Sequence, residues 1–386
     1  MFDRRIYTNS FISLLSANMF FWMSVTFFLP VLPLYYHSLG MTDHQVGLAV
    51  GAYSVGAVLF RVFSGQAVDR YGSKPVLTAG IILSVLAIIS YYYCLTFWPA
   101  MIARFLHGVG ITGYAAAALT MVTLMHEESH TTEAVAVYAL FTMFGVGFAA
   151  STAGWLFGFG ALALVVVAGA VATLLSLLLF PRNPCLKVKL VAKEKLPIRT
   201  VAIHPGVWIP TLNLLAANLC FGSIMTYLPL LMFSHGVTEI SLFYIAFSVA
   251  VILARFWVSR LCDWLTPGRL ALYLLMVFGL AMYAVGTFVS QWVLVLAGAG
   301  IGIGHGLTFP VLAAVVTANT QPANRGTAFG FYTMAVDVGI AVGAIGMGPV
   351  AAIWGYQAVF IAAGTYAFVY AAVYRFWLLG RLLRAA

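Results

Sequence analysis

Long apolar runs separated by short polar breaks occupy almost the whole chain of 386 residues. A helix that crosses the hydrocarbon core of a membrane needs about 20 predominantly apolar residues, and each run is long enough to supply them. The pattern predicts twelve membrane spans, at approximately 11–37, 46–67, 76–97, 100–125, 134–157, 161–180, 208–233, 240–261, 270–289, 293–317, 327–353 and 358–379. We therefore expect an all-α, polytopic membrane protein.

The composition excludes several classes of protein. Hydrophobic residues make up 63% of the chain and charged residues only 8%, whereas about a quarter of the residues in a typical soluble protein are charged. A soluble enzyme or nucleic-acid-binding protein is therefore excluded, and the runs are too long for the alternating strands of an outer-membrane barrel. The 4 cysteines form no CxxC pair, so neither a disulfide framework nor a zinc site is indicated.

The chain also lacks the motifs of an intramembrane enzyme. No HExxH motif, pair of carboxylates or Ser/His constellation falls within the spans. We expect a protein that is not an enzyme and that uses no metal or organic cofactor.

The distribution of lysine and arginine predicts the orientation in the membrane, because cytoplasmic loops carry the excess of these residues. The basic residues at the termini and in alternate loops are Arg4, Arg5, Arg70, Lys74, Arg182, Lys187, Lys189, Lys193, Lys195, Arg199, Arg260, Arg269, Arg325, Arg381 and Arg384. The opposite loops contain none. We expect a bacterial-type inner membrane protein with both termini in the cytoplasm, and the net charge of +9 needs no nucleic acid to explain it.

A long polar interruption divides the chain into two halves. We predict an N-terminal six-helix bundle at 1–180, a basic cytoplasmic linker at 181–205 and a C-terminal six-helix bundle at 206–386. Four features recur in the same order in both halves, namely Leu29-Pro30 and Leu228-Pro229, Arg61 with Asp69 and Arg255 with Asp263, Gly108 with Gly110 and Gly302 with Gly304, and Thr142-Met143 and Thr333-Met334. Such parallel repeats predict two pseudo-symmetric bundles with a binding site at their interface, near the middle of the membrane.

The loop after the second span carries a specific motif. It reads Gly65-Gln66-Ala67-Val68-Asp69-Arg70-Tyr71-Gly72-Ser73-Lys74-Pro75. This resembles the signature loop of the major facilitator superfamily, G-x-x-x-D-R-[aromatic]-G-x-[basic], and a degraded copy runs from Asp263 to Arg269. With twelve spans and a central basic linker, the resemblance covers the whole chain.

The resemblance implies a conformational latch on the cytoplasmic side. We expect Gly65 to permit a close approach of helices and Gly72 to support a tight turn. Asp69 is expected to face a helix N-terminus in the other half, at the start of the eleventh span near Arg325. The other members of the expected latch are Arg70, Lys74 and Asp263.

Further motifs resemble those of efflux members of this superfamily. Arg104-Phe105-Leu106-His107-Gly108-Val109-Gly110 looks like the R-x-x-x-G-x-G element of the fourth helix in proton-coupled exporters. The fifth span has the glycine spacing of the antiporter motif, but Phe159 stands where the family has proline. The whole combination most resembles bacterial drug and metabolite efflux permeases, a group that includes exporters of opine-type metallophores such as staphylopine.

Ionisable side chains inside a membrane are rare and each requires an explanation, because burying one costs about 2.5 to 3.5 kcal/mol even on the lenient insertion scale. Asp337 is the acid nearest mid-membrane, about 18 Å along the eleventh span at 1.5 Å per residue. Its counterpart in the fifth span is Val146, and this asymmetry favours a role in proton coupling or substrate binding. The alternative is a buried aspartate satisfied by neighbouring hydroxyls or by a fixed arginine.

Basic and polar residues supply the other candidates. Arg104 and His107 lie three residues apart on one helix face and predict a cationic patch, although Arg104 is also near enough to the outer end of its span to snorkel outward. The remaining candidates are the duplicated pair Arg61 and Arg255, His305 with a glycine on each side, and the mid-helix pair Asn18 and Asn218. Each has a structural alternative as a scaffold or helix-bridging residue.

These features predict a monomeric secondary active transporter in the lipid bilayer. The leading hypothesis is export of a small organic metabolite or drug by alternating access, in exchange for protons and with the proton gradient as energy source. Three arginines against one acid within the membrane favour a substrate with anionic groups. An importer or facilitator of a sugar or organic acid, or a lipid flippase, remains as the alternative.

Overall fold

The computed structural model describes residues 7–126, 128–181, 197–237, 239–321 and 324–385. These residues form helices joined by short turns and contain no β-strand. Within them, twelve helical segments are long and apolar enough to cross a membrane. The predicted all-α fold with twelve membrane spans is therefore confirmed.

The chain divides into two compact units, Met1–Met41 with Ala52–Val191 and Thr42–Gly51 with Ala192–Ala386. The first unit takes its membrane-spanning helices from α1 (Asn9–Thr26), α2 (Phe28–Ser38), α3 (Asp43–Tyr71), α4 (Ser73–Ser90), α5 (Phe97–Met125) and α6 (Glu128–Leu179). A 3₁₀ turn, Tyr91–Tyr93, follows α4. Helix α6 contains the fifth and sixth spans in one continuous run of helical backbone.

The second unit contains the first turns of α3 and the helices from α7 onward. These are α7 (Ile198–Ala202), α8 (Pro205–Ser234), α9 (Ile240–Trp264), α10 (Pro267–Thr287), α11 (Gln291–Ala318), α12 (Arg325–Gly346), α13 (Gly348–Val373) and α14 (Leu379–Ala385). A π-helical turn, Tyr374–Leu378, joins α13 to α14. Most of the predicted basic linker, 182–196, lies outside the described residues, so the domain boundaries drawn there stay a prediction.

The first predicted span is two helices rather than one. Helix α1 ends at Thr26 and α2 begins at Phe28. Pro30 explains the break, because a proline ring clashes with the carbonyl four residues earlier and has no N–H to donate to it. That carbonyl belongs to Thr26, the last residue of α1.

The last two predicted spans have different boundaries in the structure. We predicted 327–353 and 358–379, but α12 already ends at Gly346 and α13 begins at Gly348. Pro349 fits the first turn of α13, where its missing N–H removes no hydrogen bond. The predicted break at 354–357 is confirmed at Gly355, whose non-helical φ of 80° separates two helical runs within α13.

The two units use corresponding glycines to bring corresponding helices together. A Cβ at Gly108 of α5 would overlap the backbone of Tyr53 in α3, and a Cβ at Gly302 of α11 would overlap the backbone of Phe247 in α9. Two residues further on, Gly110 meets α4 and Gly304 meets α10. Small residues allow this close packing where no hydrophobic effect drives helices together in lipid. The same pairing of helices therefore recurs in both units.

Candidate functional site

The first unit contains a buried cluster of a cation, a histidine and tyrosines, which we call the Arg104 cluster (Tyr53, Tyr91, Arg104 and His107). Arg104 and His107 share one face of α5, as predicted, and their side chains are only 1% and 0% exposed. The Tyr91 hydroxyl lies 2.7 Å from Nδ1 of His107 and accepts a longer contact of 3.5 Å from Nη1 of Arg104. Tyr91 therefore joins the two side chains through a single hydroxyl.

Tyr53 of α3 covers the guanidinium of Arg104. The guanidinium carbon lies 4.6 Å from the centre of the Tyr53 ring, a cation–π geometry that contributes about 0.5 to 2 kcal/mol. The alternative that Arg104 snorkels toward the outer surface is therefore wrong, because its side chain is enclosed by α3 and the turn after α4. Burial inside an aromatic enclosure fixes a positive charge within the first unit.

His107 retains one unused ring nitrogen. Its Nε2 is buried and makes no hydrogen bond within the described part of the chain. The rings of Tyr53 and Phe28 approach the imidazole edge to face, at 5.7 and 6.5 Å between centres. The opposite nitrogen, Nδ1, shares one hydrogen bond with the Tyr91 hydroxyl, so a single protein contact orients the imidazole.

The second unit also pairs an arginine with a histidine, but among phenylalanines. The half-buried ring of His305 in α11 stacks on Phe221 of α8, with 4.0 Å between centres and 15° between planes. Phe247 of α9 lies on the same ring at 6.0 Å. Arg255 of α9 lies within electrostatic range of His305. We call these four residues the His305 cluster.

The duplicated arginines occupy corresponding helices. Arg61 lies on α3 and Arg255 on α9, and both side chains are half-buried. The Nε atom of Arg255 is buried and has no hydrogen-bond partner among the described residues. The Nε–H of Arg255 can therefore donate to an anion or a hydroxyl, and Arg61 occupies the corresponding position in the first unit.

Asp337 lies on α12 and is half-buried. Two residues further along, Gly339 packs directly against α8, where an added Cβ would come within 2.8 Å of the Cβ of Asn218. Asp337 therefore lies next to a rigid contact between α8 and α12, and its backbone position is held by that packing.

The two candidate asparagines form different hydrogen bonds. Asn18 of α1 donates from Nδ2 to the Tyr138 carbonyl at 3.2 Å and to the Thr142 hydroxyl at 2.7 Å, both on α6. Asn218 donates to the carbonyl of Leu214 within its own helix at 2.8 Å. Asn18 therefore bridges α1 and α6, whereas this hydrogen bond of Asn218 stays within α8. Their ligand-binding role stays a prediction.

One buried polar residue escaped the sequence analysis. Both amide atoms of Asn213 in α8 are buried and have no hydrogen-bond partner within the described ranges. A fully buried amide with no partner is rare and costs roughly 1 to 3 kcal/mol. Its position five residues before Asn218 was the available signal, but asparagine in an apolar helix does not reveal its bonding from sequence.

A second missed group is the acid at the start of α3. Asp43 accepts a hydrogen bond from the Tyr356 hydroxyl at 2.7 Å, within the second unit. Nearby, a Cβ at Gly47 would overlap the Tyr227 hydroxyl, which donates to the Ala344 carbonyl at 2.6 Å. The first turns of α3 therefore pack within the second unit through this hydrogen bond and through close contacts at glycine.

The predicted latch loop is exposed and turns at glycine. Gly72 has a φ of 87°, a left-handed conformation that favours glycine, so the expected tight turn is confirmed. A Cβ at Gly65 would meet no described atom within 4 Å, and the helix approach expected there stays a prediction. The side chains of Asp69, Arg70 and Lys74 are exposed.

Two further residues of the expected latch, Asp263 and Arg325, belong to the second unit. The side chain of Asp263 lies outside the described residues. Arg325 is exposed at the first residue of α12. Their expected interaction with the loop after the second span stays a prediction.

Comparisons with known proteins agree with the twelve-helix architecture. Residues 14–289 and 268–384 match the family model of the Major Facilitator Superfamily. A staphylopine export protein of Staphylococcus aureus is 24% identical over 349 residues, which cover 86% of this chain and 87% of that protein. An uncharacterised MFS-type transporter of Pseudomonas aeruginosa is 27% identical over 355 residues, covering 86% and 84% of the two chains.

Solved structures share the fold at lower sequence identity. A bacterial homologue of the human lysosomal transporter Spinster, in an inward-facing and unoccupied conformation, matches with a TM-score of 0.78, 15% identity and 97% of each chain covered. The nucleoside transporter NupG matches with a TM-score of 0.73 and 14% identity, covering 95% of this chain and 98% of its own. Family profile, relatives and fold lead to one conclusion, that this chain is a multi-pass membrane transporter belonging to the Major Facilitator Superfamily.

Proposed function

We propose that the protein exports a small organic metabolite bearing carboxylate or other anionic groups, by alternating access and in exchange for protons. It acts as a monomer in the inner membrane with both termini in the cytoplasm. The observation that supports this proposal most is the Arg104 cluster, which holds a permanent positive charge inside a membrane-spanning helix.

The character of the substrate follows from the charges in the membrane. An arginine side chain stays protonated under all physiological conditions and presents its donors in a planar fork that matches a carboxylate. The rings of Tyr53 and Tyr91 limit its freedom, so little side-chain entropy is lost when an anion binds. Arg255 in the second unit supplies another cation. The two arginines favour an anionic substrate over a cationic drug.

Export is favoured over import by two resemblances. Arg104-to-Gly110 has the form of the fourth-helix element in proton-coupled exporters, and the S. aureus relative that matches most of the chain is an export protein for staphylopine. An amino-acid-derived, opine-type metabolite therefore fits both the charge argument and the relative.

Proton coupling is assigned to Asp337, with His107 and His305 as further titratable groups. Asp337 has no acidic counterpart at Val146 in the repeat, which supports a role beyond the duplicated scaffold. Protonation of a membrane carboxylate removes a charge whose burial is costly. Alternating loading of Asp337 with a proton therefore changes which conformation is favoured.

A comparison of metabolites inside and outside cells, with and without the protein, tests this proposal. We expect cells lacking the protein to retain an anionic metabolite that normal cells release. Depletion of such a compound inside the deficient cells would indicate an importer instead. A changed lipid distribution without a change in soluble metabolites would indicate a flippase.

A further inference from the structure

A cavity opens in the second unit between α10 and the π-helical turn that follows α13. Its volume is about 270 Å³, several times the roughly 30 Å³ that one water molecule occupies in the liquid. The lining residues are Arg269, Leu272, Tyr273, Arg375, Leu379 and Gly380. Two guanidinium groups and no carboxylate therefore face a space large enough for a small organic head group.

The fold builds this cavity from two elements that are packed at its base. The Tyr374 hydroxyl donates to the Gly268 carbonyl at 3.1 Å, and a Cβ at Gly268 would come within 2.8 Å of the Leu379 side chain. Arg375 itself lies in the π-helical turn Tyr374–Leu378. Such turns are rare and occur frequently at functional sites.

The electrostatics of the cavity favour an anion. Both guanidinium groups are exposed, and in the described part of the chain neither donates to an acidic side chain. Arg269 lies in the first turn of α10, where the helix dipole is positive and disfavours a cation. Thr266, which precedes α10, forms no side-chain capping bond. Three sources of positive potential thus converge, and the described residues that line the cavity include no acid.

The surroundings are those of a membrane interface. Phe376 and Trp377, which follow Arg375, are 77% and 74% exposed, and exposed aromatic rings at a helix end are typical of the head-group region. The buried side chains of Leu272 and Leu379 supply an apolar wall beside the two arginines. The lysine and arginine distribution predicts this end to be cytoplasmic, where anionic lipids bind basic pockets between helices.

We propose that this cavity binds the phosphate group of an anionic phospholipid, held by Arg269 and Arg375 with Tyr273 beside it. The apolar wall then contacts the first part of the acyl chains. The test measures lipid binding alone and therefore does not depend on the proposed function.

Native mass spectrometry of the full-length protein in detergent tests the proposal. Phosphatidylglycerol, phosphatidylethanolamine and inorganic phosphate are titrated separately, and the bound fraction is measured for the wild type, Arg269→Gln, Arg375→Gln and the double variant. We expect phosphatidylglycerol to bind best, with about a fivefold loss of affinity for each guanidinium removed. Arg375→Lys keeps the charge and is expected to retain most of the binding.

Arg260→Gln is the matched control. Arg260 is an exposed arginine on α9 that stacks on Trp257 at 5.0 Å and does not line the cavity. Its removal is expected to leave lipid binding unchanged, and size-exclusion profiles of all variants report folding. The proposal is overturned if the double variant binds as the wild type does, if Arg260→Gln loses as much, or if inorganic phosphate binds as tightly as the lipid.

Discussion

The two units place the same residue types in different surroundings. In the Arg104 cluster, the arginine and histidine lie on one helix and meet a single tyrosine hydroxyl. In the His305 cluster, they lie on two helices, and the imidazole stacks on Phe221 with Phe247 tilted beside it. The first arrangement is a hydrogen-bonded polar network and the second is an aromatic one, so the two histidines are suited to different tasks.

The scaffold beneath these clusters is shared. Gly108 and Gly302 bring equivalent helices into backbone contact. Gly110 and Gly304 make equivalent contacts with α4 and α10 on the opposite side of their helices. The two units therefore share the small residues that set helix spacing and differ in the polar side chains between them. The residues without a counterpart are accordingly the ones we expect to define substrate and coupling.

Asp337 has no acidic counterpart in the other unit, and its substitution is expected to have the largest effect on transport. We predict that Asp337→Asn lowers pH-gradient-driven transport in membrane vesicles to the level of vesicles without the protein, because the amide cannot take up and release the coupled proton. Glu239→Gln, which changes an exposed acid beside α9, is expected to transport normally. Full activity of Asp337→Asn would remove the coupling role.

Removing each arginine separately tests whether the two clusters differ in function. Hydrogen bonds to charged groups contribute about 1.5 to 3 kcal/mol, so we expect Arg104→Gln to weaken the apparent affinity for an anionic substrate about 10- to 100-fold. We expect Arg255→Gln to have a smaller effect, because Arg255 is half-buried and solvent screens its charge more than that of the buried Arg104. Transport measured against substrate concentration gives both values, and equal losses would contradict the comparison.

The shared glycines predict equal losses of stability in the two units. Gly108→Ala and Gly302→Ala each insert a methyl group into a backbone contact, and overpacking of this kind costs about 1 to 3 kcal/mol. Gly330→Ala is the control, because a Cβ there meets no described atom within 4 Å. The free energy of unfolding in detergent is measured for the three variants. A large loss for one glycine and none for its counterpart would show that the scaffold is not equivalent.

The asparagines are expected to have the smallest effect. Asn18→Ala removes hydrogen bonds between α1 and α6, and such bonds in membrane proteins contribute about 0.6 kcal/mol each on average. Asn218→Ala removes only a bond within its own helix and is expected to change the unfolding free energy less. Thermal unfolding of the two variants side by side checks the order, and the reverse order would contradict the assigned bonds.

Much of the fold follows from the sequence because the membrane imposes it. Apolar runs of span length can be satisfied in lipid only by helices or closed barrels, so the twelve spans and their approximate bounds were predictable. The breaks at Phe27 and Met347 were not, because a proline or glycine in an apolar run marks a place where a helix can bend without fixing that it does. The superfamily motif was readable because its charged loop departs from the apolar background.

The candidate site was only partly predictable. The shared face of Arg104 and His107 follows from helical periodicity, but their common partner Tyr91 lies on another element and is one of 19 tyrosines. Whether a polar side chain bonds to a neighbour or stays without a partner depends on packing across helices, as the contrast between Asn18 and Asn213 demonstrates. Composition and periodicity contain no such information.

The most direct test of the central claim is a proton-flux measurement in inside-out membrane vesicles. Vesicles containing the protein are acidified inside, and a pH-sensitive dye follows the release of protons when anionic amino-acid-derived metabolites or permanent cations are added outside. The account predicts proton release on addition of an anionic metabolite, and none in vesicles with the Asp337→Asn variant. Proton release driven by permanent cations but not by any anion, or equal release by the variant, would contradict it.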